Sequence, residues 1–192
     1  GMDALLFFET PFDWSLIPFC RDNSIRSYIC TMYECTPIRH ERPHKYICPS
    51  LLDMQYFPDG VFLPLPVEYP WKLRTSAENY IHNGGYLGLR GREGTTLLIE
   101  AMQYVRSPMK LTIRVQENVK PEYQRMMAKD SRIDYRPETV PYHDLYATGD
   151  VVVMPQKFNG CSLPMQEARA SGMRLIASDR FPANTWLPRE PL

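Results

Sequence analysis

The sequence predicts an α/β fold, a parallel sheet with flanking helices over residues 76–192, plus a partial α/β segment over residues 1–75. Three observations carry this expectation. Beyond residue 76, short apolar runs alternate with helical stretches at the spacing of strand-helix-strand units, which implies parallel strands joined by right-handed crossovers. The first 75 residues are instead rich in aromatics, proline and cysteine and short on long helical periods. Between the two lie Pro58, Pro64, Pro66 and Pro70, a density that favours an extended, semi-rigid connection over a helix or central strand.

In the first segment, residues 5–8, 27–33 and 46–48 are strand candidates, residues 14–20 suit a short helix limited by Pro18, and residues 49–53 turn the chain. Three short parallel strands make a poor independent domain, because such sheets are normally covered on both faces. The segment therefore reads as the end of something larger. In the second, a strand over residues 79–83 enters a loop containing Gly84, Gly85, Gly88, Arg90, Gly91, Arg92, Glu93 and Gly94. Thr95 or Thr96 is expected to cap the next helix, with Leu97, Leu98, Ala101, Met102 and Val105 on one face. Residues 110–116 alternate Leu111, Ile113 and Val115 as a strand. A helix over 122–129, a strand over 132–135 and a helix over 142–148 ended by Gly149 follow. The last unit is a strand over 150–155, a loop and short helix over 157–172, and a strand over 174–179.

Composition narrows the functions. Lys plus Arg equals Asp plus Glu at 22 each, so no overall charge attracts nucleic acid, although a local basic pocket remains open. Cys20, Cys30, Cys35, Cys48 and Cys161 are odd in number and lack the paired spacing of a zinc site, which points to reduced thiols in a cytoplasmic protein. His40, His44, His82 and His143 show no ligand spacing, so no metal is expected, though His82 at the end of its strand lies beside the glycine loop. No apolar run reaches the ~18 residues of a membrane span. No transmembrane segment is expected, and peripheral membrane contact stays open.

Two loops can carry chemistry. Over residues 83–94 the glycines let the backbone approach a phosphate, the helix start offers N–H groups, and Arg90 and Arg92 can each hold a diphosphate through paired hydrogen bonds. A flexible loop with two solvated arginines is the competing reading. Neither the dinucleotide fingerprint nor the Lys-Ser/Thr phosphate loop is present. Over residues 157–172, Ser162 or Leu163 can cap a helix with Pro164 in its first turn. Glu167 can then accept two vicinal hydroxyls of a ribose, while the backbone of Gly160, Cys161, Ser162 and Leu163 faces a pyrophosphate. The alternative is that Glu167 only complements the helix dipole, worth about 0.3–1 kcal/mol.

The run Phe158-Asn159-Gly160-Cys161-Ser162-Leu163-Pro164-Met165-Gln166-Glu167-Ala168, followed by Ala170-Ser171-Gly172, resembles the signature of retaining glycosyltransferases of the family 4 type. Three more stretches match in the order that family shows. They are the Gly/Arg loop with Glu100-Ala101-Met102 in its helix, Tyr135-Arg136-Pro137-Glu138-Thr139-Val140, and Asp144-Leu145-Tyr146 leading to Asp150-Val151-Val152-Val153-Met154-Pro155. The likeness covers roughly residues 80–180 and reaches the first 75 only loosely.

The resemblance implies a GT-B enzyme, whose Rossmann-like donor-binding domain would be residues 76–192, with residues 1–75 the remnant of a truncated acceptor-side domain and its Pro-rich linker. It implies sugar transfer from a nucleoside-diphosphate sugar to an unknown acceptor with retention. No cofactor or metal is implied, because basic side chains and helix dipoles stabilise the leaving diphosphate. It assigns Glu167 to the ribose, Gly160, Cys161, Ser162 and Leu163 to the diphosphate or sugar, Gly84, Gly85, Arg90 and Arg92 to phosphate, and Tyr135, Arg136 and Pro137 to the base. Asn159 and Glu167 are the implied catalytic positions. Two residues depart from the family: Asn159 stands where it has a glutamate, and Glu93 where it has a lysine. A non-catalytic nucleotide-sugar binding module, or an inactive fragment, is the alternative these departures leave.

Overall fold

Short β-branched and aromatic runs punctuated by proline and glycine form two separate parallel sheets in the computed structural model, which describes residues 1–86, 91–116, 119–157 and 161–186. The chain divides into units Gly1–Pro66 and Val67–Leu192. All five cysteines are free thiols.

The first unit contains β1 (Ala4–Glu9), α1 (Leu16–Asp22), β2 (Arg26–Thr31), β3 (Lys45–Cys48), α2 (Leu51–Tyr56) and β4 (Val61–Phe62). Its strands lie in the order β1-β2-β3-β4, all parallel. Pro18 is tolerated because it falls in the first turn of α1, where its missing N–H has no partner to lose. The turn expected over residues 49–53 is instead the start of α2. Ser50 Oγ accepts the Asp53 N–H at 3.1 Å, and the Asp53 carboxylate bonds the Ser50 hydroxyl in return, a reciprocal cap. Ile17 and Phe57 cover the sheet face carrying Ile29, Tyr46 and Cys48. On the other face Leu6 and Phe8 remain 46% and 68% exposed.

The second unit contains β5 (Asn79–Gly85), α3 (Thr95–Ala101), β6 (Lys110–Val115), α4 (Pro121–Ala128), β7 (Ile133–Arg136), β8 (Val151–Met154), α5 (Leu163–Ala170) and β9 (Arg174–Ala177). Its parallel strands run β7-β6-β5-β8-β9. One core cluster joins Ile81, Val152, Met154 and Leu175 to Met165 and Ala168 of α5. Another joins Leu111, Ile113 and Val115 to Ile99 of α3 and Met127 of α4. Arg132 closes the end of α3: its guanidinium donates to the Met102, Val105 and Ser107 carbonyls at 3.0, 2.6 and 2.9 Å, and Asp130 holds it at 2.7 Å. A cation at a helix's carbonyl end is favoured by the dipole.

Three expectations about local structure need correction. Gly94, not Thr95 or Thr96, is the cap of α3, and Thr95 is its first residue. Thr95 is buried, which sets the inner face of the helix at Thr95, Ile99 and Met102 and leaves Leu97 54% exposed. Residues 142–148 form only the 3₁₀ turn Tyr142–Asp144 rather than a helix. Side chains take the carbonyls a helix would have used: the Tyr69 hydroxyl donates to Tyr142 O (2.9 Å) and His143 O (2.6 Å), Asn83 Nδ2 and Arg114 Nη1 donate to Leu145 O (3.1 and 3.2 Å), and Arg74 Nη2 donates to Tyr146 O (2.7 Å). Finally, residues 67–75, counted with the first segment from the sequence, pack with the second unit. Arg74 reaches the Gly149 and Ser171 carbonyls at 2.7 and 3.1 Å, and Lys72 N–H donates to Ser171 O at 3.1 Å.

Candidate functional site at the reversal of strand order

From β5 the chain builds outward to β6 and β7, then returns to the other side of β5 as β8 and β9. The connections leaving β5 and β8 therefore lead in opposite directions along the sheet, and in open α/β sheets such a reversal of strand order is where ligands bind. The pairing itself opens there. β5 and β8 match only at Tyr80↔Val151 and Ile81↔Val152, whereas β5 stays paired to β6 as far as Gly85↔Val115.

The two loops are laced together beyond the parting. Lys157 N–H donates to Arg92 O at 2.9 Å, and Gln156 Nε2 donates to the Glu93 carboxylate. Gly94, at φ +74°, passes so close to β8's exit that a Cβ would lie 2.1 Å from Pro155 O. Below them His82 joins three elements. Its Nδ1 lies 2.8 Å from Val153 O and its Nε2 2.8 Å from Thr95 Oγ1. The carbonyl can only accept, so Nδ1 carries the proton and Nε2 accepts from the threonine hydroxyl. Burial pushes the His82 pKa down, against the upward pull of the Val153 bond, so the ring is neutral. With both nitrogens engaged, His82 is a structural brace beneath the loop.

The two glycines ending β5 differ. Gly84 is packed, since a Cβ would meet Thr95 Oγ1 at 2.7 Å and Val115 at 3.0 Å, whereas at Gly85 (φ +58°) it would meet nothing within 4 Å among the described residues.

Helix α5 begins from an unusual backbone. Ser162, buried, sits in the left-handed region at φ +50°, ψ +52°, and caps the helix without its side chain. Such a conformation in a residue with a Cβ costs roughly 1–2 kcal/mol, and strain of this kind clusters at ligand sites. Gln166 Nε2 donates to Cys161 O at 2.7 Å and holds the loop against the helix. Pro164 has no N–H, so Ser162 and Leu163 are the residues at this end whose amides can serve an anion.

Glu167 is partly buried on the same helix. Tyr146 Oη donates to Glu167 Oε2 at 3.1 Å, with Pro164 O at 3.2 Å as a second acceptor. Burial pushes the Tyr146 phenol well above its ordinary range, and the Glu167 carboxylate adds to the shift, so this hydroxyl stays a donor. Tyr142 is pushed up too, by burial and then by Glu167. Tyr69 completes the support: its oxygen accepts the Tyr146 N–H at 3.2 Å, and its ring meets those of Tyr142 and Tyr146 edge-on at 5.3 and 5.1 Å.

The charges around these loops are mixed. Arg92 Nε is 3.8 Å from Glu93 Oε1. A Cβ at Gly91 (φ +80°) would lie 3.6 Å from Lys157 Nζ, so a second cation stands beside that turn. Gly84 and Gly85 thus end β5, Arg92 lies in the loop that follows it, and Cys161, Ser162, Leu163 and Glu167 lie in the loop and helix that follow β8. Tyr135 and Arg136 end the edge strand β7, two strands from β5, and Pro137 follows it at the same end of the sheet. Tyr135 Oη accepts the Val119 N–H at 3.2 Å, and Arg136 is paired with Asp134 at 2.7 Å. Arg90, Asn159 and Gly160 lie outside the described residues. Sequence reasoning gave no role to Tyr146, Lys157 or Arg74. Tyr146 stood inside a quoted stretch, but nothing in its spacing says that its hydroxyl reaches a helix 21 residues later.

No family model and no curated protein sequence matches the chain. Solved structures do. TarM superposes with a TM-score of 0.65 at 12% identity, over 96% of this chain and 43% of TarM. The pneumococcal O-GlcNAc transferase GtfA, solved in complex with UDP and GlcNAc, gives 0.60 at 14% identity, over 95% of this chain and 44% of GtfA. A glycosyltransferase from Rickettsia africae ESF-5 gives 0.53 at 10% identity, over 86% and 60%. The chain spans less than half the length of TarM and GtfA. Its mixed α/β architecture, parallel sheets with flanking helices, is similar to the folds of GT-B glycosyltransferases.

Proposed function

We propose that the second unit is the donor-binding part of a glycosyltransferase that moves a sugar from a nucleoside-diphosphate sugar to an acceptor, with retention and without a metal. The observation that carries this reading is the left-handed start of α5 at the strand-order reversal, with Glu167 held by Tyr146 on the same helix. In it, Glu167 accepts the vicinal hydroxyls of the ribose. The backbone of Gly160, Cys161, Ser162 and Leu163 faces the diphosphate, and Gly84 and Gly85 let it approach. Arg90, Arg92 and Lys157 supply positive charge, Lys157 replacing the cation lost where Glu93 stands. Tyr135, Arg136 and Pro137 lie beside the base, and Asn159 bonds a sugar hydroxyl. In the reaction the bond from the sugar to the diphosphate breaks and one to the acceptor oxygen forms. The acceptor's proton leaves with the diphosphate, whose developing charge is stabilised by preorganised donors.

The GtfA complex with UDP makes UDP the first nucleotide to try. Calorimetry with UDP, GDP and ADP tests the reading. One of them binds, and Glu167→Ala weakens it roughly tenfold to a hundredfold, the worth of one or two hydrogen bonds to a charged group. Failure of all three to bind, or affinity unchanged by the substitution, refutes it. A second reading, nucleotide-sugar binding without turnover, is favoured by the Glu93 carboxylate 3.8 Å from Arg92 Nε and by Asn159. Release of free nucleotide from a donor sugar in an acceptor mixture counts against it.

A further inference from the structure

The first unit has a cleft of about 390 Å³ at the amino ends of β2 and β3, beside the last turn of α1. Its lining includes Arg21, Arg26, Arg42 and His44, with no aspartate or glutamate among its residues. Three segments bring these basic side chains together: Arg21 from α1, Arg26 from the first position of β2, and Arg42 and His44 from the approach to β3. The approach is tied in place. Ser27 Oγ, 4% exposed as a residue, accepts the His44 N–H at 3.2 Å, and the His44 ring meets Tyr28 edge-on at 5.7 Å.

In a chain whose acidic and basic residues balance, this is a local excess of positive charge. Asp59 lies 3.4 Å from Arg42, but with side chains 58% and 79% exposed that pair contributes little. Arg21 also suits the carbonyl end of α1. Helix chemistry does not account for Arg26, Arg42 and His44 lining the same cavity.

We propose that this cleft binds a phosphate group, carried by a small phosphorylated molecule or by a phospholipid headgroup. Guanidinium groups match phosphate oxygens through paired hydrogen bonds, and the volume falls at the small end of the roughly 300–1,000 Å³ of ligand pockets. The site lies wholly in the first unit and does not depend on the donor-site reading.

The test uses the full chain, ¹⁵N-labelled, titrated with inorganic pyrophosphate at constant ionic strength. The amides of Arg26, Ser27 and His44 shift saturably. Arg21→Gln with Arg26→Gln weakens the binding read at those amides about tenfold or more, and Glu167→Ala leaves it unchanged. Arg21→Lys with Arg26→Lys gives an intermediate affinity, and far-UV circular dichroism confirms the fold of each variant. Co-sedimentation with phosphatidic acid vesicles, against phosphatidylcholine vesicles, separates the sources. Uptake lost in the Gln variant assigns the headgroup, and saturable pyrophosphate shifts without uptake assign the soluble ester. Shifts that grow linearly without saturating, binding that survives the Gln variant, or no response to either probe overturns the proposal.

Discussion

Gly94 and Gly91 offer a matched pair of substitutions. Both lie in the loop that leaves β5, both have φ near +80° (+74° and +80°), and they differ in what a side chain would meet. Among the described residues, a Cβ at Gly91 would meet the flexible Lys157 ammonium at 3.6 Å and nothing else within 4 Å; at Gly94 it would be driven to 2.1 Å from Pro155 O and 2.8 Å from Pro155 C, both backbone atoms. Gly91→Ala therefore costs only the left-handed conformation, about 1–2 kcal/mol. Gly94→Ala carries the same penalty plus the cost of pushing the β8 exit away, about 1–3 kcal/mol by analogy with overpacking. It also pulls apart the Lys157–Arg92 and Gln156–Glu93 bonds beside it. Urea denaturation of both variants measures the difference as a midpoint shift at constant m. Gly94→Ala is expected to lose about 1–3 kcal/mol more than Gly91→Ala, and to lose more of any UDP affinity. Equal losses in the two variants would refute the claim that the approach to Pro155 is what requires glycine there.

Two other outcomes test the brace and the positioning. Tyr146→Phe removes the donor to Glu167 and is expected to lower stability by about 1–2 kcal/mol and UDP affinity several-fold; unchanged affinity in calorimetry would separate Tyr146 from the site. His82 is held neutral by burial, with its folded pKa below the unfolded value of about 6.5. The unfolded chain thus binds the extra proton as pH falls. The contribution is present above pH ~6.5 and is lost below it, with a slope approaching about 1.4 kcal/mol per pH unit. Urea midpoints at pH 7.5, 6.5 and 5.5 should show a decline that His82→Gln removes, and a decline of equal size in the variant would assign it elsewhere.

The alternation of strands and helices beyond residue 76 was legible because 150–155 carries a short apolar run, as parallel strands buried on both faces do, and because 110–116 alternates Leu111, Ile113 and Val115 with polar residues. The start of α5 was legible too, since Pro164 in a first turn is a local signal. What escaped were features decided by distant side chains. Residues 142–148 have a helical pattern, yet Tyr69, Asn83, Arg114 and Arg74 compete for their carbonyls. Thr95 resembles a cap until His82 claims its hydroxyl. Glu167 was singled out from its place on a helix, but its tie to Tyr146 depends on a fold-level approach no spacing encodes. The missed start of α2 is different, because Ser50 and Asp53 are a local capping signal that proline and leucine neighbours obscured.

The strap formed by Tyr69, Lys72 and Arg74 has a consequence for how the site assembles. Arg74 bonds carbonyls 75 and 97 residues further along, at Gly149 and Ser171, and a further bond holds Tyr146 itself. The pairing of β5 with β8, as at Tyr80↔Val151, closes a loop of comparable length, so the strap and the strand reversal join the same distant parts of the chain. A piece begun at residue 76 would keep all five strands of the second unit and lose the strap that steadies the partner of Glu167, so the smallest portion that can report on this carboxylate begins at Val67.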